Sequence, residues 1–198
     1  MPTALENKTA KRNRILESAY NLFLSNSFSS TASDDVVKMA GVAKGTFYLY
    51  FKDKYDLLDE VIIRKSTEIL RDAFAYTQKE CGGSTPDEKI LSVVTYLLDY
   101  LENNRNFTAI INKNFSRCFR LLMNSENPES SGILSSFISS LGETGIGEDK
   151  AGIIAYMLLD MVGSVYCEAL LGAGPYTPGE IRPHIIKSIC CRLEANKE

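Results

Sequence analysis

Histidine occurs once in the 198 residues, at His184, and the five cysteines (Cys81, Cys118, Cys167, Cys190 and Cys191) stand at no metal-ligand spacing. There is also no G-x-S-x-G, no Cys/His pair and no phosphate loop. These absences leave no constellation for catalysis, so an enzyme, a metal site and a cofactor are all unexpected. An odd cysteine count without a framework reads as reduced thiols. Cys190 and Cys191, adjacent on a helix, point apart and read as packing groups. The amino-terminal stretch MPTALENKTAKRNR lacks the apolar core of a signal peptide. No run approaches the ~20 apolar residues that a membrane span needs, because residues 153–171 are interrupted by Asp160 and Glu168 and read as a buried helix. The expected setting is cytoplasmic, away from membranes. Strand signals are nearly missing too.

A positive charge excess is absent from the chain as a whole, whose formal net charge is −3. Its distribution is uneven. Residues 1–55 hold eight Lys/Arg against five Asp/Glu, while the remainder holds fourteen against twenty. A basic head on an acidic body is compatible with a polyanion site at one end, and equally with ordinary surface scatter.

What the sequence does have is apolar residues at helical spacing from end to end. Ile15, Ala19, Leu22 and Phe23 mark a first helix over about 9–25, followed by a turn at Asn26-Ser27. Thr31 and Asp34 fit a capping box ahead of a short helix carrying Val36, Val37 and Ala40. Gly41 stops that helix, and another short one spans about 43–50. Asp53 and Asp56 suggest a second capped start, opening a long helix to about residue 80, ~40 Å in length. Thr85-Pro86-Asp87-Glu88 and Thr177-Pro178-Gly179-Glu180 are further strong starts. Helices are also expected at about 105–113, 115–123, 133–141 and 148–171. The expected fold is all-α: a three-helix head over residues 1–52, joined by the long helix to a helical bundle over 53–198, with nine or ten helices in all and no sheet.

Residues 31–51, T-A-S-D-D-V-V-K-M-A-G-V-A-K-G-T-F-Y-L-Y-F, read helix, tight glycine turn, helix, which is helix-turn-helix grammar. Val42 plugs the core, and the second helix exposes Lys44, Thr46 and Tyr48 near its start. That end suits the major groove, where Lys and Thr meet base edges. Gly45 has no side chain to keep a backbone away from DNA. Lys11, Arg12, Lys44, Lys52 and Lys54 supply charge for phosphates.

The run A-G-V-A-K-G-T-F-Y-L-Y-F-K-D-K-Y-D-L-L, together with R-I-L-E-S-A-Y-N-L-F upstream, resembles the DNA-binding signature of the TetR (tetracycline-repressor-like) family over about residues 10–62. The resemblance implies phosphate contacts for Thr31 and Lys54, a groove-facing role for Lys44, Gly45, Thr46 and Tyr48, and a place at the groove's backbone edge for Tyr50. Phe47 and Phe51 would pack the head. The sequence departs from the family pattern at three positions. Ser27 stands where Gly is usual, so the first turn would use Asn26; Ala43 stands where a capping Ser is common; and Ser33 occupies a usually apolar position.

The resemblance also implies that the body binds a small molecule and pairs with a second copy through its last two helices. The Ile row of the final helix, Ile181, Ile185 and Ile189, with Gly163 and Cys167 on the helix before it, is the expected seam. Tyr96, Tyr100, Phe107, Met123 and Tyr156, with Cys118, Met157 and Tyr166, are candidates to line an apolar cavity, although core packing fits most of them individually. Asp160 and Ser164 share a face with Glu168. They read as pocket groups for a cationic or hydroxylated ligand, or as an ion pair with Arg117 or Arg120, or as plain surface. The function implied is a homodimeric regulator of double-stranded operator DNA, most simply a repressor released from a palindromic operator by a small-molecule effector. The alternative is a helical carrier or adaptor with no DNA readout.

Overall fold

The computed structural model describes residues 4–194, and among these all regular structure is helical. Ten helices follow one another: α1 (Ala4–Asn26), α2 (Ser33–Ala40), α3 (Lys44–Tyr48), α4 (Lys54–Glu80), α5 (Pro86–Asn103), α6 (Arg105–Ile111), α7 (Phe115–Met123), α8 (Pro128–Leu141), α9 (Glu148–Leu170) and α10 (Pro178–Glu194). The chain divides into two compact units, a head ending at Ile62 and a body beginning at Ile63, so the division falls inside α4.

The head closes on side chains from each of its helices. Ile15, Leu16, Ala19 and Phe23 of α1, Val36 and Ala40 of α2, Phe47 and Phe51, and Leu57, Leu58, Val61 and Ile62 of α4 are all buried, and α1 packs on α2. Each of these Val, Leu, Ile and Phe side chains contributes roughly 1.5–3 kcal/mol on burial. The turns differ from the sequence expectation in two respects. Ser27 itself takes the left-handed conformation at φ 68°, a state that glycine reaches freely and serine does not. The capping box falls one residue late: Asp35, not Asp34, accepts a hydrogen bond from the Ala32 N–H, at 3.0 Å.

Elsewhere the expected starts form. The Asp53 carboxylate accepts the N–H groups of Tyr55 and Asp56 at 2.8 and 2.9 Å. Glu88 accepts from the Thr85 N–H at 2.8 Å, and Glu180 accepts from the Thr177 N–H at 2.8 Å. Each of these bonds satisfies an N–H that the first helical turn leaves unpaired.

In the body, α8 and α9 pack together, and α7 lies against α9. Ile90, Val93, Val94, Leu98 and Leu101 of α5 supply a buried row. The residues expected to form a loop between α8 and α9 instead make a single wide turn, at 142–146, broken by Gly145 at φ 89°. A second wide turn interrupts α9 at Val162–Tyr166. By length and composition α9 resembles a membrane span, with a mean hydropathy of 1.5, yet 44% of that window is buried within the protein. Much of its apolar surface therefore serves the core.

Candidate nucleic-acid interface and body cavity

The head's outer face is built from α2, the Gly41 turn and α3. Gly41 adopts φ 62° and donates its N–H back to α2, ending that helix abruptly. α3 then starts at Ala43, whose side chain offers no cap. It holds its place through Phe47, which is fully buried, with ring centroids 5.8 Å from Phe51 and 5.2 Å from Tyr48. With Phe47 turned inward, Lys44, Gly45 and Tyr48 lie exposed, and Thr46 and Tyr50 are half-buried. A Cβ at Gly45 would meet no atom of the chain within 4 Å, so nothing inside the head requires glycine there. The Lys44 ammonium lies 2.7 Å from an Asp34 carboxylate oxygen. That hydrogen bond and charge push the lysine pKa up from its ordinary value.

Three of the residues expected to meet phosphates have partners within the head. Thr31 is only 1% exposed, and its hydroxyl donates to the Ser27 carbonyl at 2.8 Å. Lys54 donates to the Phe28 and Thr31 carbonyls, both at 2.9 Å, with its ammonium 4.3 Å from the Phe28 ring centroid. These two residues tie the α1–α2 turn to α4. Arg12 pairs with Glu60 at 2.5 Å and lies over Phe51. Lys11 is exposed, as is Lys52. The signal that separates these roles is tertiary: a cation near an open carbonyl cluster folds onto it, and no spacing rule reports the cluster.

The body holds a cavity of about 80 Å³. Ser66, Ile69 and Leu70 of α4 form one wall, Val94, Leu97, Tyr100 and Leu101 of α5 another, and Phe107, Ile111, Phe115, Leu122, Phe137, Leu158, Leu159, Val162 and Ile189 close it. The polar groups here are few. The Cys118 thiol donates to the Ser66 hydroxyl at 3.1 Å, and burial pushes that thiol up to about 11. Phe115 lies directly on Gly163, where a Cβ would come within 2.3 Å of the ring. Glycine is thus what lets that aromatic side chain seat beside the cavity.

Among the residues expected to line a pocket, Tyr100, Phe107 and Cys118 do so, the two rings edge to face at 5.9 Å. Tyr96 instead borders an open depression of about 620 Å³ on α4 and α5, beside Tyr76. Met123, Tyr156, Asp160 and Ser164 are exposed, and half-buried Arg117 is not among the lining groups. The residues expected at a dimer seam are mostly buried within the chain. Gly163, Cys167, Ile185 and Ile189 are buried in their own chain, and Ile181 is half-buried. The apolar residues that α9 leaves open are Ile153, Tyr156, Met157 and Val165.

A polar cluster ties the ends of the body together. The buried Tyr166 hydroxyl donates to Glu102, and Arg182 donates to Glu102 at 2.7 Å and to Asp99 at 2.5 Å. Arg105 donates to the Leu170 carbonyl. The Tyr166 bond, reinforced by Arg182, holds the Glu102 carboxyl below the usual carboxylate range against the opposing effect of burial.

Comparison with known proteins agrees with this architecture. Residues 15–61 match the sequence model for bacterial regulatory proteins of the tetR family. The fatty acid metabolism regulator protein of Bacillus subtilis is 26% identical over 54% of this chain, a match that spans 53% of its own length. Two solved structures share the fold. A TetR-family transcriptional regulator from Mesorhizobium loti, described as putative, gives a TM-score of 0.63 at 18% identity, covering 98% of each chain. The transcriptional regulator FadR from Bacillus subtilis, in complex with stearoyl-CoA, gives 0.57 at 19% identity, covering 89% of this chain and 96% of that one. The head thus matches the tetR-family sequence model over residues 15–61, and the chain as a whole shares the fold of solved TetR-family regulators.

Proposed function

We propose that the protein is a dimeric transcriptional repressor whose α3 reads the major groove of a palindromic operator and whose body cavity takes an apolar, chain-like effector that releases it. The observation that carries the reading is the presentation of α3. A buried Phe47 fixes a glycine-hinged helix so that Lys44, Gly45 and Tyr48 stand together on open surface. Lysine is a donor for guanine acceptors, and the bare backbone at Gly45 admits close approach to a groove wall. Two such helices about 34 Å apart would meet successive turns of one face of the duplex.

Exposed apolar residues on α9 support pairing with a second copy. Ile153 and Met157 are 61% and 59% exposed and one helical turn apart, with Tyr156 beside them. A contiguous apolar stripe left open on a helix marks an interaction surface. Met157→Asp is expected to leave a folded monomer by light scattering and to weaken operator binding sharply. A variant that stays dimeric would remove α9 from the interface.

The effector class follows from the cavity walls, which are nearly all hydrocarbon and offer no charged group to a ligand. At about 80 Å³ the cavity is well below the roughly 300–1,000 Å³ of ligand pockets. Entry therefore requires the walls to part, including the part of α4 that carries Ser66, Ile69 and Leu70. A ligand that favours the parted state over the closed one shifts the equilibrium by its difference in affinity for the two. The B. subtilis regulator solved with stearoyl-CoA supports an acyl chain as the occupant.

The deciding experiment uses an operator recovered from a randomised duplex pool, titrated with the protein with and without stearoyl-CoA. Lys44→Gln should weaken operator binding about tenfold or more, and the acyl compound should release the wild-type protein. Unchanged binding by Lys44→Gln would overturn the assignment of α3 as the reading helix.

A further inference from the structure

We infer that Asp34 is a specificity-determining residue of the head, holding Lys44 away from sequence-independent phosphate contact until a base edge replaces its carboxylate. The inference rests on α3 as the reading helix.

The two carboxylates that open α2 have different tasks. Asp35 accepts the Ala32 N–H at 3.0 Å and so belongs to the start of its own helix. Asp34 reaches across the turn to α3, where its oxygen lies 2.7 Å from the Lys44 ammonium. Lys44 is the sole cation in the α3 sequence, KGTFY. Both side chains of the pair are well over half exposed, so water and salt reach them and the pair exchanges readily.

A carboxylate and a phosphate are competing anions for one ammonium. On a random duplex, Lys44 gains only another anion by leaving Asp34, so the pairing competes with phosphate and reduces the charge that Lys44 contributes. In the correct groove, guanine acceptors offer a directed alternative that the carboxylate does not supply. The pair therefore subtracts one cation from sequence-independent binding, which depends on the number of phosphates neutralised. It subtracts less from binding at the right site.

The test is the salt dependence of binding to a random-sequence duplex, measured by fluorescence anisotropy between about 50 and 200 mM salt. Asp34→Asn should bind the random duplex more tightly at low salt. Its log–log slope should steepen by about 0.9, which adds roughly a threefold loss of affinity across that salt range. In the Lys44→Gln background the same Asp34→Asn change should leave the slope alone, because no ammonium is freed. The ratio of selected-operator to random-duplex affinity should fall for Asp34→Asn. A slope that Asp34→Asn leaves unchanged when Lys44 is intact, or steepens equally with Lys44 intact and in the Lys44→Gln background, overturns the inference while leaving α3 as the reader. Failure of Lys44→Gln to weaken the selected operator overturns that reader as well. Asp34 also opens a helix, so Asp34→Ser, which keeps a helix-start residue, repeats the slope measurement if the asparagine variant melts early.

Discussion

In the head, the candidate site is open surface held from behind. Phe47 and Phe51 are buried, and the groups proposed to meet DNA stand on the solvent side of the same short helix. In the body, the candidate site is internal, small and almost free of polar atoms. The two regions answer to different physics. A polyanion is attracted from a distance and must find its partners already in place. An apolar ligand gains from leaving water, so its site is dry, and without a ligand its walls close together to keep their contacts. The head is therefore expected to be rigid in shape and sensitive to charge. The body is expected to yield in shape and to respond to volume.

The sharpest way to break that contrast is to remove the support behind the open site. Phe47→Ala should destabilise the head by about 3–5 kcal/mol and abolish duplex binding while the body keeps its helical melting transition. A single joint loss of both units by circular dichroism would show that they do not behave separately.

A smaller effect should come from filling space in the body. Gly163→Ala places a methyl where the Phe115 ring lies, within 2.3 Å. The ring must move toward the cavity, so the variant should lose about 1–3 kcal/mol of body stability and bind an acyl ligand weakly, with random-duplex affinity untouched. Retained ligand affinity would place the ligand elsewhere.

Tyr166→Phe removes the hydroxyl that holds Glu102 low. A carboxyl lowered in the folded state adds stability above its unfolded value and loses it as pH falls through the folded one. The variant should therefore lose about 1 kcal/mol at pH 7. The gap should narrow under acid, once Glu102 is protonated in both proteins. A gap that does not change with pH would mean that Tyr166 acts by packing alone.

The mildest expected change is a gain. Ser27→Gly relieves a left-handed serine at φ 68° and should raise head stability by about 1 kcal/mol, read as a later unfolding midpoint in urea with duplex binding unchanged.

Much of the helical order was legible because it is local. Gly41, Asp53, Thr85-Pro86 and Thr177-Pro178 act on backbone groups within four residues of themselves, so sequence spacing contains the whole interaction. The inward row of α1 followed from helical periodicity in the same way, whereas the inward Phe47 was implied by the family resemblance. The partners of Thr31 and Lys54 within the head were not legible, because they are backbone carbonyls that only the folded turn brings together. The start of α2 moved by one residue because Asp34 and Asp35 are chemically identical, and geometry alone decides which of them caps and which pairs with Lys44.

The body was legible in outline and illegible in function. Periodicity finds an apolar face but does not distinguish a face that fills the core from one that borders a cavity, since leucine serves both. Leu158 and Leu159 line the cavity, while Ile153 and Met157 on the same helix meet solvent. Gly163 looked like a point of close approach to a second copy, and the close approach is real but intramolecular, to Phe115.

By itself, then, the order of amino acids determined which segments are helical, which of their ends carry a local cap or stop, and which short helix would face outward, since each depends on neighbours along the chain. Which charges are free, which are already held, where a void remains and which apolar stripe is left uncovered depend on side chains brought together from distant segments, and only the tertiary structure decided them.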